Sequence, residues 1–206
     1  MADKVDLKKQ ERGYFTALTK GWEEIFLPPF PYLMVDGRGP PGGQDYTAAL
    51  SALYPAAYAL KFFSKQELGR DYAVPVLEGL WWSDRLDAYA DDRREEWCWT
   101  LMLMVPRWIT AEHLAQALAR KAATRRQAAD LSAVRQAMLD EGRCLQHFHL
   151  GPFAAEAPKL AELHKQIMPA RGLTFAGHHH EIYLSDPRRT APEKLRTILR
   201  QPVRSA

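Results

Sequence analysis

Polar and apolar residues alternate through GHHHEIYLSD at 177–186: His179, Glu181, Tyr183 and Ser185 fall at one parity, Ile182 and Leu184 at the other. Side chains alternate across a strand, so this period of two predicts a strand with an apolar face for a core and a polar face turned to a cavity or to water. Short runs of the same kind at 32–36 (YLMVD), 71–83 (DYAVPVLEGLWWS), 97–105 (WCWTLMLMV), 143–150 (RCLQHFHL) and 195–203 (LRTILRQPV) also read as strands. Trp97, Trp99, Leu101 and Leu103 share one face of theirs, while Pro75 and Gly79 mark a bulge or an edge. A helical period replaces this alternation over 46–63, where Leu50, Tyr54 and Tyr58 recur beside Leu53, Ala57 and Leu60. Asp45 is the expected cap of that helix, and Pro55 its expected kink or lost hydrogen bond. Helical spacing also predicts a connector over 110–141, in segments before and after a basic turn, and a helix at about 153–168. Residues 1–30 read as an extended arm anchored near Gly13, Tyr14 and Phe15, 84–96 as a solvated hairpin turn, and GRGPPGG at 37–43 as a strand-to-helix turn. That last loop lacks the glycine spacing of a phosphate cradle.

The order of these elements recurs. A strand ending in a Gly/Pro turn (LMVDGRGPP, then FHLGP) leads to a helix, then to a strand with an embedded acid and a closing Ser–Asp (LEGLWWSD, then HEIYLSD), then to a further strand. This predicts an α+β fold: duplicated strand–helix–strand–strand modules forming a curved antiparallel sheet, with helices on one side and a central ligand cleft. The expected organisation is a single domain over 1–206, with an arm at 1–30, a first repeat at 31–107, a helical connector at 108–141 and a second repeat at 142–206. In this alignment Glu78 and Glu181 are expected at related places, which singles out both acids.

Composition narrows the partners. The chain of 206 residues is 47% hydrophobic and 26% charged, with a net charge of +3. That supports a substantial core and gives no basic block of the kind nucleic acid requires. The longest apolar run, 97–105, is far short of the roughly 20 residues a bilayer span needs. The two cysteines, Cys98 and Cys144, make no disulfide framework, and MADKVDLKKQ has no signal core. The expectation is a cytoplasmic monomer or homodimer without membrane or direct nucleic-acid contact. The arm is too short for a DNA-binding module, which weighs against a self-contained regulator.

Candidate chemistry gathers on the polar face of 177–186. A carboxylate at Glu181 beside a phenol at Tyr183 can hold a cation or activate a water, with His179 on the same face. Glu78 lies within an apolar run, where an acid needs a partner, a water or a task. Tyr54 and Tyr58 either line a cavity or pack in the core, and Glu78 and Glu181 have the alternative of pairing with arginines such as Arg196 or Arg200. His147 and His149 share a face and His178–His180 are contiguous, but neither HExxH nor CxxC spacing occurs, so no metal and no cofactor is expected.

The motifs DLKKQ at 6–10, DGRGPP at 36–41, ALSALYPAAYALKF at 49–62, VPVLEGLWW at 74–82 and HEIYLSDPRRTAPEKLRTILRQPV at 180–203 resemble the GyrI-like small-molecule-binding family, in its stand-alone bacterial branch. The resemblance implies a pocket acid that meets planar aromatic or cationic ligands. It also implies, by similarity to cyclopropanoid cyclopropyl hydrolases, water addition to the cyclopropane of duocarmycin-like genotoxic compounds. On that basis Glu181 and Tyr183 are the candidate catalytic residues, with Glu78, Trp99, Tyr54, Tyr58, Trp81 and His179 as candidate ligand-binding residues. A non-catalytic module that sequesters or reports a drug is the alternative.

Overall fold

The computed structural model describes residues 4–83, 94–123 and 130–206. In chain order its elements are α1 (Leu7–Gln10), β1 (Glu23–Leu27), β2 (Phe30–Arg38), α2 (Gln44–Glu67), β3 (Glu78–Trp82), β4 (Cys98–Met104), α3 (Ala111–Ala123), β5 (Arg135–Leu139), β6 (Gly142–Leu150), α4 (Ala157–Glu162), α5 (Met168–Ala170), β7 (Leu173–Phe175), β8 (His179–Tyr183) and β9 (Arg196–Ser205). A π-helical turn, Leu163–Ile167, joins α4 to α5. The chain forms two compact units, Met1–Glu11 with Phe30–Leu139, and Arg12–Pro29 with Asp140–Ala206.

In the first unit the antiparallel strand order is β3-β4-β2-β5. Trp81 opposes Trp99 and Trp99 opposes Gly37, so these three positions share a face with Leu33, Val35, Leu101 and Leu103. That face packs on Ala49, Ala52, Leu53, Ala56 and Leu60 of α2 and on Leu114 of α3. The alanines let the helix axis approach the sheet, and each buried leucine contributes about 1.5–3 kcal/mol of transfer free energy. Gly37 is required by a close approach: a Cβ there would lie inside the Trp99 ring. The same indole donates to the Gly39 carbonyl at 3.2 Å.

In the second unit the order is β8-β9-β6-β1, antiparallel throughout, with β7 paired to the far end of β9. Tyr183 opposes Thr197, which opposes His149; Glu181 opposes Leu199, which opposes His147. The core here is Trp22, Leu145, Leu163, Met168, Leu173, Leu199 and Val203. The strand–helix–strand–strand order therefore occurs twice, as β2-α2-β3-β4 and as β6 through α4 and α5 to β8 and β9. The fold is α+β, with a helix against one face of each unit's antiparallel sheet, as the pattern predicts.

The structure corrects several expectations. Residues 135–139 are a strand, not helix, because β2 offers them an open edge from Phe30 to Met34. Leu131 and Val134 are buried in the turn before it. The 108–141 connector is thus helical only at α3, and 124–129 lie outside the described residues. The 1–30 arm is not extended throughout. It contains α1, capped by the Asp6 carboxylate accepting from Lys8 N at 3.1 Å, and β1 on the edge of β6. Tyr14 and Phe15 are buried, as expected of anchors. The strand expected over 71–83 begins only at Glu78, past Pro75, and Tyr72 makes a single bridge with Val5. The cap of α2 is Gly43; Asp45 stands in the first turn, where its charge complements the helix dipole. Of the expected 84–96 turn, 84–93 lie outside the described residues, and Arg94–Glu96 form a 3₁₀ turn. No helix among the described residues is long and apolar enough to cross a membrane.

Candidate functional site

Strand β8 carries His179, Glu181 and Tyr183 on the face that also bears Leu199 and Thr197, the side covered by the helical segment 157–170. The opposite face carries His180 and Ile182 beside Ile198 and Arg200. Both faces are covered, so the polar set is not a wetted surface: His179 and Tyr183 are buried and Glu181 is half-buried. His179 Nε2 lies 3.5 Å from Glu181 Oε1. The Phe153 ring meets Tyr183 edge-on at 5.6 Å.

The structure adds a residue that sequence reasoning missed. Glu156 precedes α4 and is 4% exposed. Burial, and then the negative charge of Glu181, push its carboxyl up to about 10, so it is protonated at neutral pH. The Thr197 hydroxyl beside it opposes the shift, although the strict geometry of a hydrogen bond is not met. Glu156 Oε1, both ring nitrogens of His179 and His164 Nε2 are buried without a hydrogen-bond partner. Each such atom costs on the order of 1–3 kcal/mol, a cost that a polar ligand or water would relieve. Burial, and then His179, lower His164 to about 4, which leaves it neutral.

The first unit holds the aromatic candidates. Tyr46 stacks on Trp81 at 6.2 Å and meets Trp99 edge-on at 5.5 Å, while Trp97 meets Trp81 at 5.9 Å. Trp81 faces the core and Trp82 is half-buried. Tyr54 is half-buried against the same core, whereas Tyr58 is 48% exposed. Glu78 is fully buried, but it opposes Met102 and so lies on the other face of β3 from Trp81. The expected equivalence of Glu78 and Glu181 therefore fails. Glu181 lies with Tyr183 on the helix-covered face of β8, whereas Glu78 lies on the face of β3 turned away from α2. A one-residue offset exchanges the two faces of a strand.

Arg200 does not serve Glu181. It donates to the Tyr14 carbonyl at 2.7 Å and to Gln146 Oε1 at 2.9 Å, and lies 3.5 Å from Glu141 Oε2. Glu141 also meets His180 Nδ1 at 2.9 Å. Burial opposes its ionisation, but His180 and Arg200 outweigh that and hold its carboxyl below the usual range. Arg196 donates to Ser185 Oγ at 3.3 Å. A groove of about 410 Å³ lies at the loop after β2, lined by Arg38, Pro40, Gln44 and Glu95 among others, and contains none of the candidate residues. No group of three or more His, Cys, Asp or Glu among the described residues is placed to hold a metal ion.

The family model of the GyrI-like small molecule binding domain matches residues 23–204. The chain belongs to the GyrI-like family. This GyrI-like chain is 42% identical to an uncharacterized conserved protein from Listeria innocua, over 98% of this chain and 100% of that one, with a TM-score of 0.87. It is 40% identical to a hydrolase from Listeria innocua over the same shares, with a TM-score of 0.82. The EcmrR C-terminal domain shares the fold at a TM-score of 0.59 and 9% identity, over 90% of this chain and 98% of that one. No curated protein matches this GyrI-like chain.

Proposed function

We propose that this GyrI-like protein binds planar, hydrophobic small molecules and hydrolyses cyclopropane-bearing, duocarmycin-like genotoxic compounds by adding water. The observation that carries the reading is the placing of Glu181 and Tyr183 on one largely buried strand face, with unpartnered polar atoms beside them. Membership of a small-molecule-binding family supports binding, and full-length similarity to a protein called a hydrolase supports water chemistry.

A cyclopropane conjugated to a carbonyl is strained and electrophilic. Glu181 holds a water against the ring methylene and accepts its proton as the new C–O bond forms. The ring C–C bond breaks, and its electron pair moves through the conjugated system to the carbonyl oxygen. The Tyr183 hydroxyl donates a hydrogen bond to that oxygen as charge builds, or orients the same water. His179 stands beside the acid in this reading.

A mass-spectrometric time course with a cyclopropane-bearing alkylator tests this. Wild type is expected to add one water, and Glu181→Gln and Tyr183→Phe to lose or slow that gain by roughly 10²-fold or more. Binding without turnover in all three overturns the hydrolase and leaves a drug-binding module.

A further inference from the structure

The geometry points to Glu156 as a second catalytic carboxyl, the acid that protonates the carbonyl oxygen of the opening ring. This inference rests on the hydrolase reading and completes its proton balance. Water addition needs a base at the attacking oxygen and a proton for the oxygen that receives the ring electrons. Glu181 supplies the first, and a hydrogen bond from Tyr183 eases the charge without discharging it.

The placement of Glu156 suits the second task. The helix start fixes its backbone: its N–H bonds to the Phe153 carbonyl at 3.1 Å, and its own carbonyl accepts from Lys159 N at 2.9 Å and Leu160 N at 3.0 Å. Phe153, on the same turn, packs against the Tyr183 ring. Thr197, beside the Glu156 carboxyl, is registered opposite Tyr183. The side chain is therefore held beside the predicted site, buried, with Oε1 unpartnered. It has no ion pair with Lys or Arg among the described residues; its charged neighbour is another carboxyl. Two carboxyls whose charges repel favour one ionised and one neutral member, which is the division that base and acid require. An amide or a leucine would fill this position at lower cost to the fold, so a carboxyl there offers the one property they lack, a transferable proton.

The step balances. The water proton passes to Glu181, hydroxide oxygen bonds to the methylene, the ring C–C bond breaks, and the Glu156 proton passes to the former carbonyl oxygen. Glu181 ends protonated and Glu156 ionised. Transfer of one proton from Glu181 back to Glu156 after product release, directly or through the Thr197 hydroxyl, restores the starting state with no other reactant.

The test uses a series of cyclopropane substrates graded by the acidity of the phenol formed on opening, with wild type, Glu156→Gln and Glu181→Gln. A general acid matters most where the product oxygen is most basic. Glu156→Gln is expected to lower kcat by about 10²-fold on the substrate giving the weakest acid, and by under about tenfold on the one giving the strongest, with KM little changed. Glu181→Gln is expected to slow the whole series. A Glu156→Gln enzyme as fast as wild type, or slowed equally on every substrate, overturns the proton-donor role and leaves the hydrolase standing. No turnover by wild type overturns both. The wild type alone gives a second reading should the variant not fold. Its kcat is expected to fall at alkaline pH, as Glu156 ionises, on the substrate giving the weakest acid and not on the one giving the strongest. Parallel profiles overturn the role. Glu181, His179 and Tyr183 face the same site with every substrate, so the difference between profiles isolates the donor.

Discussion

At Glu156 the folded protein holds a proton that the unfolded chain releases near the ordinary value of 4.5. A carboxyl raised on folding gives its full stability below the unfolded value, and that stability is lost as pH rises toward the folded value. Glu156→Gln is therefore expected to match wild type in urea melts at pH 4 and to exceed it at pH 8, on the order of 1–3 kcal/mol. A variant weaker than wild type at pH 8 would show that the carboxyl has a stabilising partner in the folded state. Glu141 has the opposite sign. His180 and Arg200 hold it below its usual value, so its contribution is present at neutral pH and lost as pH falls through the folded value. Removing it with Glu141→Ala leaves the fully buried Arg200 without that carboxylate, and the expected cost in a denaturant melt is about 3–5 kcal/mol. The parity of Glu181 and Tyr183 was legible in the sequence because a strand has a period of two. Glu156 and Glu141 were not, since their chemistry comes from residues far away in the chain: Thr197 and Glu181 for one, His180 and Arg200 for the other.

The same periodicity has limits at the scale of the element. It identified β8 and β4, each with a clear apolar parity, but it could not phase β3 against β8 across the repeat. Matching the embedded acids placed Glu78 with Glu181, whereas the registers put Glu181 on the helix-covered face of its sheet and Glu78 on the other face of its own. Strand β5 read as helix because short edge strands have one open side and a weak alternation. The helix expected at 153–168 is composite, with a 3₁₀ turn at Phe153–Ala155, then α4, a π turn and α5. Where β2 meets β4, the Trp99 ring lies over Gly37. Gly37→Ala forces that ring to move, and the expected loss is about 1–3 kcal/mol with a change in tryptophan fluorescence. Unchanged stability and emission would show that the indole shifts freely.

Over the whole molecule, the N-terminal segment contributes to each unit. Val5 N donates to the Asp71 carbonyl at 2.9 Å, and Ala73 N donates to the Val5 carbonyl at 2.8 Å. The Tyr14 carbonyl accepts from Arg200 at 2.7 Å, and the Thr16 carbonyl accepts from Gln146 Nε2 at 2.9 Å. Deleting residues 1–22 is expected to lower protection from hydrogen exchange at 71–73 and along β6 and β9. Loss confined to one of these regions would overturn the double role of the segment. The sequence by itself determined the fold class, the duplicated element order, the family and the pairing of Glu181 with Tyr183. All of these are written in local period and in the order of short motifs. The tertiary structure alone decided which faces are covered, that Glu78 and Glu181 are not equivalent, and that Glu156 is neutral beside Glu181. The physical reason is that burial, register and charge coupling depend on groups brought together by folding, whose separation along the chain carries no periodic signal.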